Sequence, residues 1–145
     1  MRKQGKSKVS KLQRKLWSLT AEYIKTKYGN TCYTCDSQNL EGRNFHCGHF
    51  IPKAASNFQL KYDERNLRPQ CYYCNINLGG NGAEFSRRLR KEFGARYVEK
   101  IHKDNQGISK AGVYELEARI EEFKELLESV DNFLAIIVVH GNIKE

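Results

Sequence analysis

Cys32-Tyr33-Thr34-Cys35 and Cys71-Tyr72-Tyr73-Cys74 are the two stretches whose reading decides the fold. Each puts two thiols on one short turn, and 35 residues separate the pairs. Tetrahedral zinc takes four thiolate or imidazole donors, and two such knuckles close its coordination sphere with no open position. The spacing therefore predicts a structural zinc ion on Cys32, Cys35, Cys71 and Cys74. Four free core thiols fit poorly among Tyr, Thr and Asn. A thioredoxin-like redox pair fits poorly too, because no βαβ pattern surrounds either CxxC. Cys47, the fifth cysteine, reads as a buried free thiol or a residue near the site.

Working outward, residues 31–82 hold frequent Gly and Asn and no long periodic segment. Such a stretch needs a metal to supply what a large apolar core would otherwise give. Before it, Val9, Leu12, Leu16, Leu19 and Tyr23 recur three and four apart, which predicts an amphipathic helix. Lys11, Arg14, Lys15, Lys25 and Lys27 form its polar face, and Gly29-Asn30 is a helix stop. After it, Phe85, Leu89 and Phe93 lie four apart among Arg87, Arg88, Arg90 and Lys91, and Gly94 ends or bends that helix. Val113, Leu116, Ile120, Phe123, Leu127 and Val130 predict a third, acidic helix. The first and third helices have opposite charge. They pack on each other, or either pairs with a second subunit. The seven apolar residues from Phe133 to Val139 have a length that suits a strand or a buried tail. The expected division is a disordered basic arm at 1–8, a helix at 9–30, a zinc-bound core with its following basic helix at 31–102, and an acidic helix with apolar tail at 103–145.

The chain of 145 residues is long enough for one domain, or one with a helical appendage. Its net charge of +8 is unevenly placed. Residues 1–31 carry nine basic groups and one acid, while residues 104–145 carry four basic groups and nine acids. A basic body with an acidic end suits a partner with a phosphate backbone. No run approaches the ~18 apolar residues that span a bilayer. No apolar stretch follows the basic N-terminus to make a signal peptide. These features predict an intracellular protein without a membrane partner, with its cysteines as ligands or free thiols.

Between the knuckles runs Asn44-Phe45-His46-Cys47-Gly48-His49-Phe50-Ile51-Pro52, and Asp63-Glu64-Arg65-Asn66-Leu67-Arg68-Pro69-Gln70 leads into Cys71. Asn75 follows Cys74 directly. One zinc frame thus places two His and two Asn. From Lys11 to Ser129 the chain resembles the HNH (ββα-metal) nucleases, and among them the phage NinG/Rap recombination proteins. The resemblance rests on Leu16-Trp17, on Glu22 to Lys25, on both knuckles and on Gly48-His49-Phe50. It extends to Tyr62 through Asn66, Pro69-Gln70-Cys71, Cys74-Asn75, Leu78 through Asn81, and Tyr114 through Glu117. It implies an α+β fold: a small zinc-stabilised ββα-metal core flanked by N-terminal and C-terminal amphipathic helices. It also implies a phage-encoded protein of the bacterial cytoplasm.

The resemblance further implies roles. His49 is the general base that activates water against a phosphodiester. Asn66 orients the loop and the His. Asn75 ligates a catalytic divalent cation, Mg²⁺ or Mn²⁺. Many HNH enzymes carry an Asp just before the His, where this chain has Gly48. The NinG group has an Asp three residues before it, where this chain has His46. His46 is either a second cation ligand, favouring Mn²⁺ over oxygen-loving Mg²⁺, or a structural residue. Asn81 is a lesser candidate, read equally well as a turn residue.

Arg43, Lys53, Arg65, Arg68, Arg87 and Arg88 are candidate DNA contacts, gripping phosphates without reading bases. The resemblance implies branched recombination intermediates, Holliday junctions and D-loops, as substrate. The layout is also similar to the phage endonuclease VII resolvases, which implies a homodimer. Two other readings stand beside this one: a zinc-ribbon DNA-binding module without catalysis, and an HNH nuclease acting on linear DNA. Tyr33, Tyr72 and Tyr73 are expected to pack against the zinc site rather than to form an RNA-binding platform.

Overall fold

The computed structural model describes residues 7–107 and 110–141. The start of the basic arm, residues 1–6, and the last four residues lie outside them. The chain divides into two compact units, residues 1–27 with 112–145, and residues 28–111. The first and last helices fall in the same unit, one of the two arrangements that their spacing and charge allowed.

Helix α1 spans Lys8–Tyr28. Ser7 caps it, its hydroxyl accepting from the Ser10 amide at 3.2 Å. Leu16, Tyr23 and Ile24 are buried, and the buried Thr20 hydroxyl donates to the Leu16 carbonyl at 2.7 Å. The C-terminal helix, Val113–Gly141, buries Leu116, Ile120 and Phe123. The Tyr23 and Phe123 rings meet edge to face at 5.7 Å. Lys8 and Glu117 form an exposed ion pair at 3.2 Å, which contributes little. The stretch from Phe133 to Val139 is neither strand nor buried. It continues this helix, with Phe133 63% and Val138 61% exposed. A short apolar run cannot distinguish strand from helix by itself, and the helical register running into it from Val113 decides.

In the second unit, β1 (His46–His49) and β2 (Leu67–Gln70) form an antiparallel pair. His46 lies opposite Gln70 and His49 opposite Leu67. The connection between them carries helix α2, Phe58–Lys61, which Asn57 caps by accepting from the Leu60 amide at 2.9 Å. After β2 come the second knuckle, a π-helical turn at Tyr73–Asn77, and helix α3, Gly82–Phe93. Gly94, at φ 90°, turns the chain into helix α4, Ala95–Asp104. The C-terminal helix Val113–Gly141 is therefore α5.

Phe50, Ile51 and Leu60 pack with Phe85, Leu89, Val98 and Ile101, so α3 and α4 cover the connection between the strands. The end of α4 also holds that connection by polar bonds. Asn57 Nδ2 donates to the carbonyls of Asp104 and Gln106, and Asn105 Nδ2 donates to that of Ala55. Arg65 bridges Asp63 and Asp104 at 2.7 and 2.8 Å. Among the described residues, no helix is long and apolar enough to cross a membrane.

Arg68 is not the surface phosphate contact expected from the sequence. It is 1% exposed, with its guanidinium 4.4 Å from the Tyr28 ring and 5.3 Å from the Tyr33 ring. Its Nη1 donates to the Glu64 and Leu67 carbonyls, both at 2.7 Å. Cation–π contact and charged hydrogen bonds make it an internal cross-link.

Candidate metal centre and the polar groups beside it

The four knuckle thiols converge, with all sulfurs within 4.8 Å of one another. Cys32, Cys71 and Cys74 are buried and Cys35 is exposed. A zinc ion with Zn–S bonds of ~2.3 Å at tetrahedral angles requires sulfurs about 3.8 Å apart. The Cys35 and Cys71 sulfurs are 3.8 Å apart, far beyond the ~2.05 Å of a disulfide. The donor set and its spacing fit zinc, and these four residues can hold it.

The surrounding backbone shapes the centre. The Tyr33 amide donates to the Pro69 carbonyl at 2.8 Å, joining the first knuckle to β2. The Cys74 amide points at the Cys71 sulfur at 3.4 Å, and Asn81 Nδ2 at the Cys74 sulfur at 3.7 Å. Asn81, in a left-handed conformation at φ 51°, therefore serves the thiol cluster. Burial opposes charge on Cys32, but hydrogen bonds from the Cys71 backbone and Thr34 bring its thiol down to about 6. Burial lifts Cys74 to about 12. A bound cation would ionise all four together.

His46, Gly48 and Asn75 lie next to this centre. Alternation along β1 puts 46 and 48 on one face and 47 and 49 on the other. His46 therefore stands on the face that an acid at position 48 would use. Its Nδ1 is 2.9 Å from Asn75 Nδ2, and its Nε2 is 2.9 Å from the Arg43 carbonyl. A carbonyl only accepts, so Nε2 carries the proton and Nδ1 accepts from the Asn75 amide.

Gly48 has a steric cause. A Cβ there would sit 1.9 Å from Gln70 Oε1. The Gln70 side chain, fully buried, lies across the strand with Nε2 donating to Thr34 Oγ1 and the Gly80 carbonyl, both at 2.9 Å. Its Oε1 is a buried acceptor without a hydrogen-bond partner. Gln70 was not singled out by the sequence, since only the strand register brings it over Gly48.

His49 ends β1 on the opposite face. Its Nε2 is 3.0 Å from the Lys61 carbonyl, which fixes the proton on Nε2 and the lone pair on Nδ1. Burial first, then the charges of Lys53 and Lys61, bring its pKa down to about 4, so the ring is neutral at pH 7. Asn66 is fully buried and pins the loop after β1. Its Oδ1 accepts from the Ile51 amide at 2.7 Å, and its Nδ2 donates to the Ile51 and Leu60 carbonyls at 3.1 Å. His46 and Asn75 are thus brought together, while His49 and Asn66 belong to the other side of the hairpin. Cys47 is buried.

The remaining candidate cations differ in availability. Arg43 is exposed beside His46. Lys53 is exposed on the His49 side. Arg65 is held by Asp63 and Asp104, and Arg87 by Glu84. Arg88 is held by Asp36 and Glu84. A cleft of about 680 Å³ lies away from His49, lined by Tyr28, Tyr33, Arg68, Arg88 and Glu92 among others. Tyr33 packs on Phe85 at 5.2 Å, but Tyr72 and Tyr73 are 49% and 58% exposed and do not pack inward as expected.

Protein ninG of Salmonella phage P22 is 32% identical over 75 residues, covering 52% of this chain and 36% of that protein. Protein ninG of Escherichia phage lambda is 28% identical over 101 residues, covering 70% of this chain and 48% of the relative. Protein ninG of Escherichia phage 933W is 29% identical over the same length. The chain spans about half, or less, of the length of these curated relatives. No solved structure matches it. The family described as "Bacteriophage Lambda NinG protein" matches residues 1–132, nearly the whole chain, and the chain belongs to that family.

Proposed function

We propose that this protein is an HNH-type DNA endonuclease whose substrates are branched recombination intermediates. The observation that carries the reading is the fixed, neutral His49, with its Nε2–H held by the Lys61 carbonyl and the loop behind it pinned by buried Asn66. A neutral imidazole with its lone pair on Nδ1 is the state a general base must be in. His49 Nδ1 takes a proton from water as the water oxygen bonds to phosphorus, and the bond to the leaving 3′-oxygen breaks. Lys53 and Lys61 sit close enough to depress the His49 pKa, and their charge is the kind that holds a phosphate. The thiol cluster fixes both ends of the hairpin and takes no part in the chemistry.

His46 Nδ1 and Asn75 would hold a catalytic cation with the Asn75 amide turned to present Oδ1, in place of the hydrogen bond its Nδ2 now gives to Nδ1. Such a cation would supply positive charge to a bound phosphate and its leaving oxygen. An imidazole nitrogen and an amide suit Mn²⁺ better than Mg²⁺. The buried acceptor Gln70 Oε1, opposite His46 in register, adds an oxygen to the same strand face.

One observation favours a second reading, a DNA-binding module without catalysis. Both His46 ring nitrogens are already hydrogen-bonded, and His46 and His49 leave the strand on opposite faces. Cleavage of a synthetic four-way junction, beside a linear duplex of matched sequence, separates the readings. The expected result is junction cutting stronger in Mn²⁺ than in Mg²⁺ and lost in His49→Ala, with folding and binding retained. Binding without cutting in either cation would establish the module. Equal cutting of both substrates would remove the preference for branches.

A further inference from the structure

We infer that Tyr72 and Tyr73 form a stacking platform for unpaired bases, placed beside the His46–Asn75 pair. The inference rests on the nuclease reading only for the fate of the strand, not for its binding. Tyr72, Tyr73, Ile76 and Leu78 are 49%, 58%, 51% and 44% exposed within seven consecutive residues. Large side chains exposed this close together in sequence call for a partner.

The platform is stiff. Tyr72 and Tyr73 lie between two thiol ligands, Cys71 and Cys74. The Tyr72 amide donates to Asn44 Oδ1 at 2.9 Å, and its ring meets the His46 ring at 5.5 Å and 90°. The residues continue into a π-helical turn, a conformation that recurs at functional sites.

Charge selects the occupant. Residues 42–48 and 70–78, which carry Arg43, His46, Asn75 and the two tyrosines, contain no Asp or Glu. Arg43, whose carbonyl holds His46, adds an exposed cation. Paired two-fold with itself, this face would meet only its own positive charge. A polyanion with exposed π faces is the complementary partner, and that is a nucleic-acid strand. Bases inside a duplex hide their faces, so an aromatic ring gains stacking only from bases already unpaired, as at a branch point.

The test uses the full chain in buffer without added Mg²⁺ or Mn²⁺. One probe is a single-stranded oligonucleotide carrying 2-aminopurine, and the other is the same strand in a perfect duplex. The wild type should quench 2-aminopurine fluorescence in the single strand. Tyr72→Ala with Tyr73→Ala should abolish the quenching and weaken single-strand binding by about tenfold or more. Duplex affinity should hardly change, and the double Phe variant should restore quenching. Equal loss on both probes, no loss on either, or a Phe variant that behaves like Ala would overturn the inference. So would a double Ala variant that changes only the sedimentation coefficient, because the patch would then be a self-association surface. Quenching intact but no cleavage on adding Mn²⁺ would leave the platform standing and remove the nuclease reading.

Discussion

Among the described residues, the unit built from α1 and α5 buries Leu16, Tyr23, Ile24, Leu116, Ile120 and Phe123, with Thr20 its one buried polar side chain. The 28–111 unit buries Thr34, Ser56, Asn57, Asn66, Arg68 and Gln70 beside its apolar residues. The first is held by apolar surface on two long helices, where stability scales with area removed from water. The second has two four-residue strands and a helix of four residues between them. It depends on buried polar side chains bonded across the chain and on four thiols placed where they could share an ion. Each route suits its use. An apolar helix pair tolerates side-chain exchange, whereas a polar hairpin fixes individual atoms, which positioning a histidine demands.

The sharpest way to break this comparison is to remove one thiol. Cys71→Ser should unfold the 28–111 unit at 25 °C, because structural zinc contributes on the order of 10 kcal/mol or more to such small sites. Amide hydrogen exchange read residue by residue should lose protection across β1, β2 and α3 while α5 keeps its own. Unchanged protection in the strands would mean that the cluster is not what holds them.

The converse cut falls in the helical unit. Phe123→Ala removes a fully buried ring that meets Tyr23, and should cost about 3–5 kcal/mol. The loss should appear in denaturant unfolding, while zinc stoichiometry stays the same. A loss of bound zinc on this substitution would show that the two units do not keep separate accounts of stability.

The two units also differ in how much their sequence discloses. The helices are legible because three- and four-residue spacing is a local property, as at Leu12, Leu16 and Leu19, or Leu116, Ile120 and Phe123. The thiol cluster is legible because a CxxC turn specifies ligand geometry within four residues. Features set by register across the chain are not. Arg68 looks like a phosphate contact until the strand turns it between Tyr28 and Tyr33. Gly48 looks like a missing acid until Gln70 is seen to fill its side-chain space. The exposure of Tyr72 and Tyr73 has no local signal, since a knuckle can point its intervening residues inward or outward. The bonds from Asn57 and Asn105 that stitch α4 to the hairpin join residues about fifty positions apart.

The smallest expected effect concerns His49 alone. In the unfolded chain an imidazole titrates near ~6.5. In the native hairpin, burial and the nearby Lys53 and Lys61 lower this to about 4. Between these values the unfolded chain binds a proton that the native one refuses. Stability contributed by neutral His49 is therefore complete above pH 6.5 and is lost as pH falls toward 4. Unfolding of the wild type at pH 7.5 and 5.5 should show a drop that His49→Gln lacks, since glutamine has nothing to titrate. In an NMR titration the His49 ring should stay neutral through pH 6, and a midpoint near 6.5 would sink the claim that burial governs it. The outcome also bears on chemistry. A base held neutral by its surroundings becomes more basic once a phosphate sets negative charge beside Lys53 and Lys61. Its midpoint should therefore rise when an uncleavable DNA strand is bound, and a midpoint unmoved by DNA would place the strand away from His49.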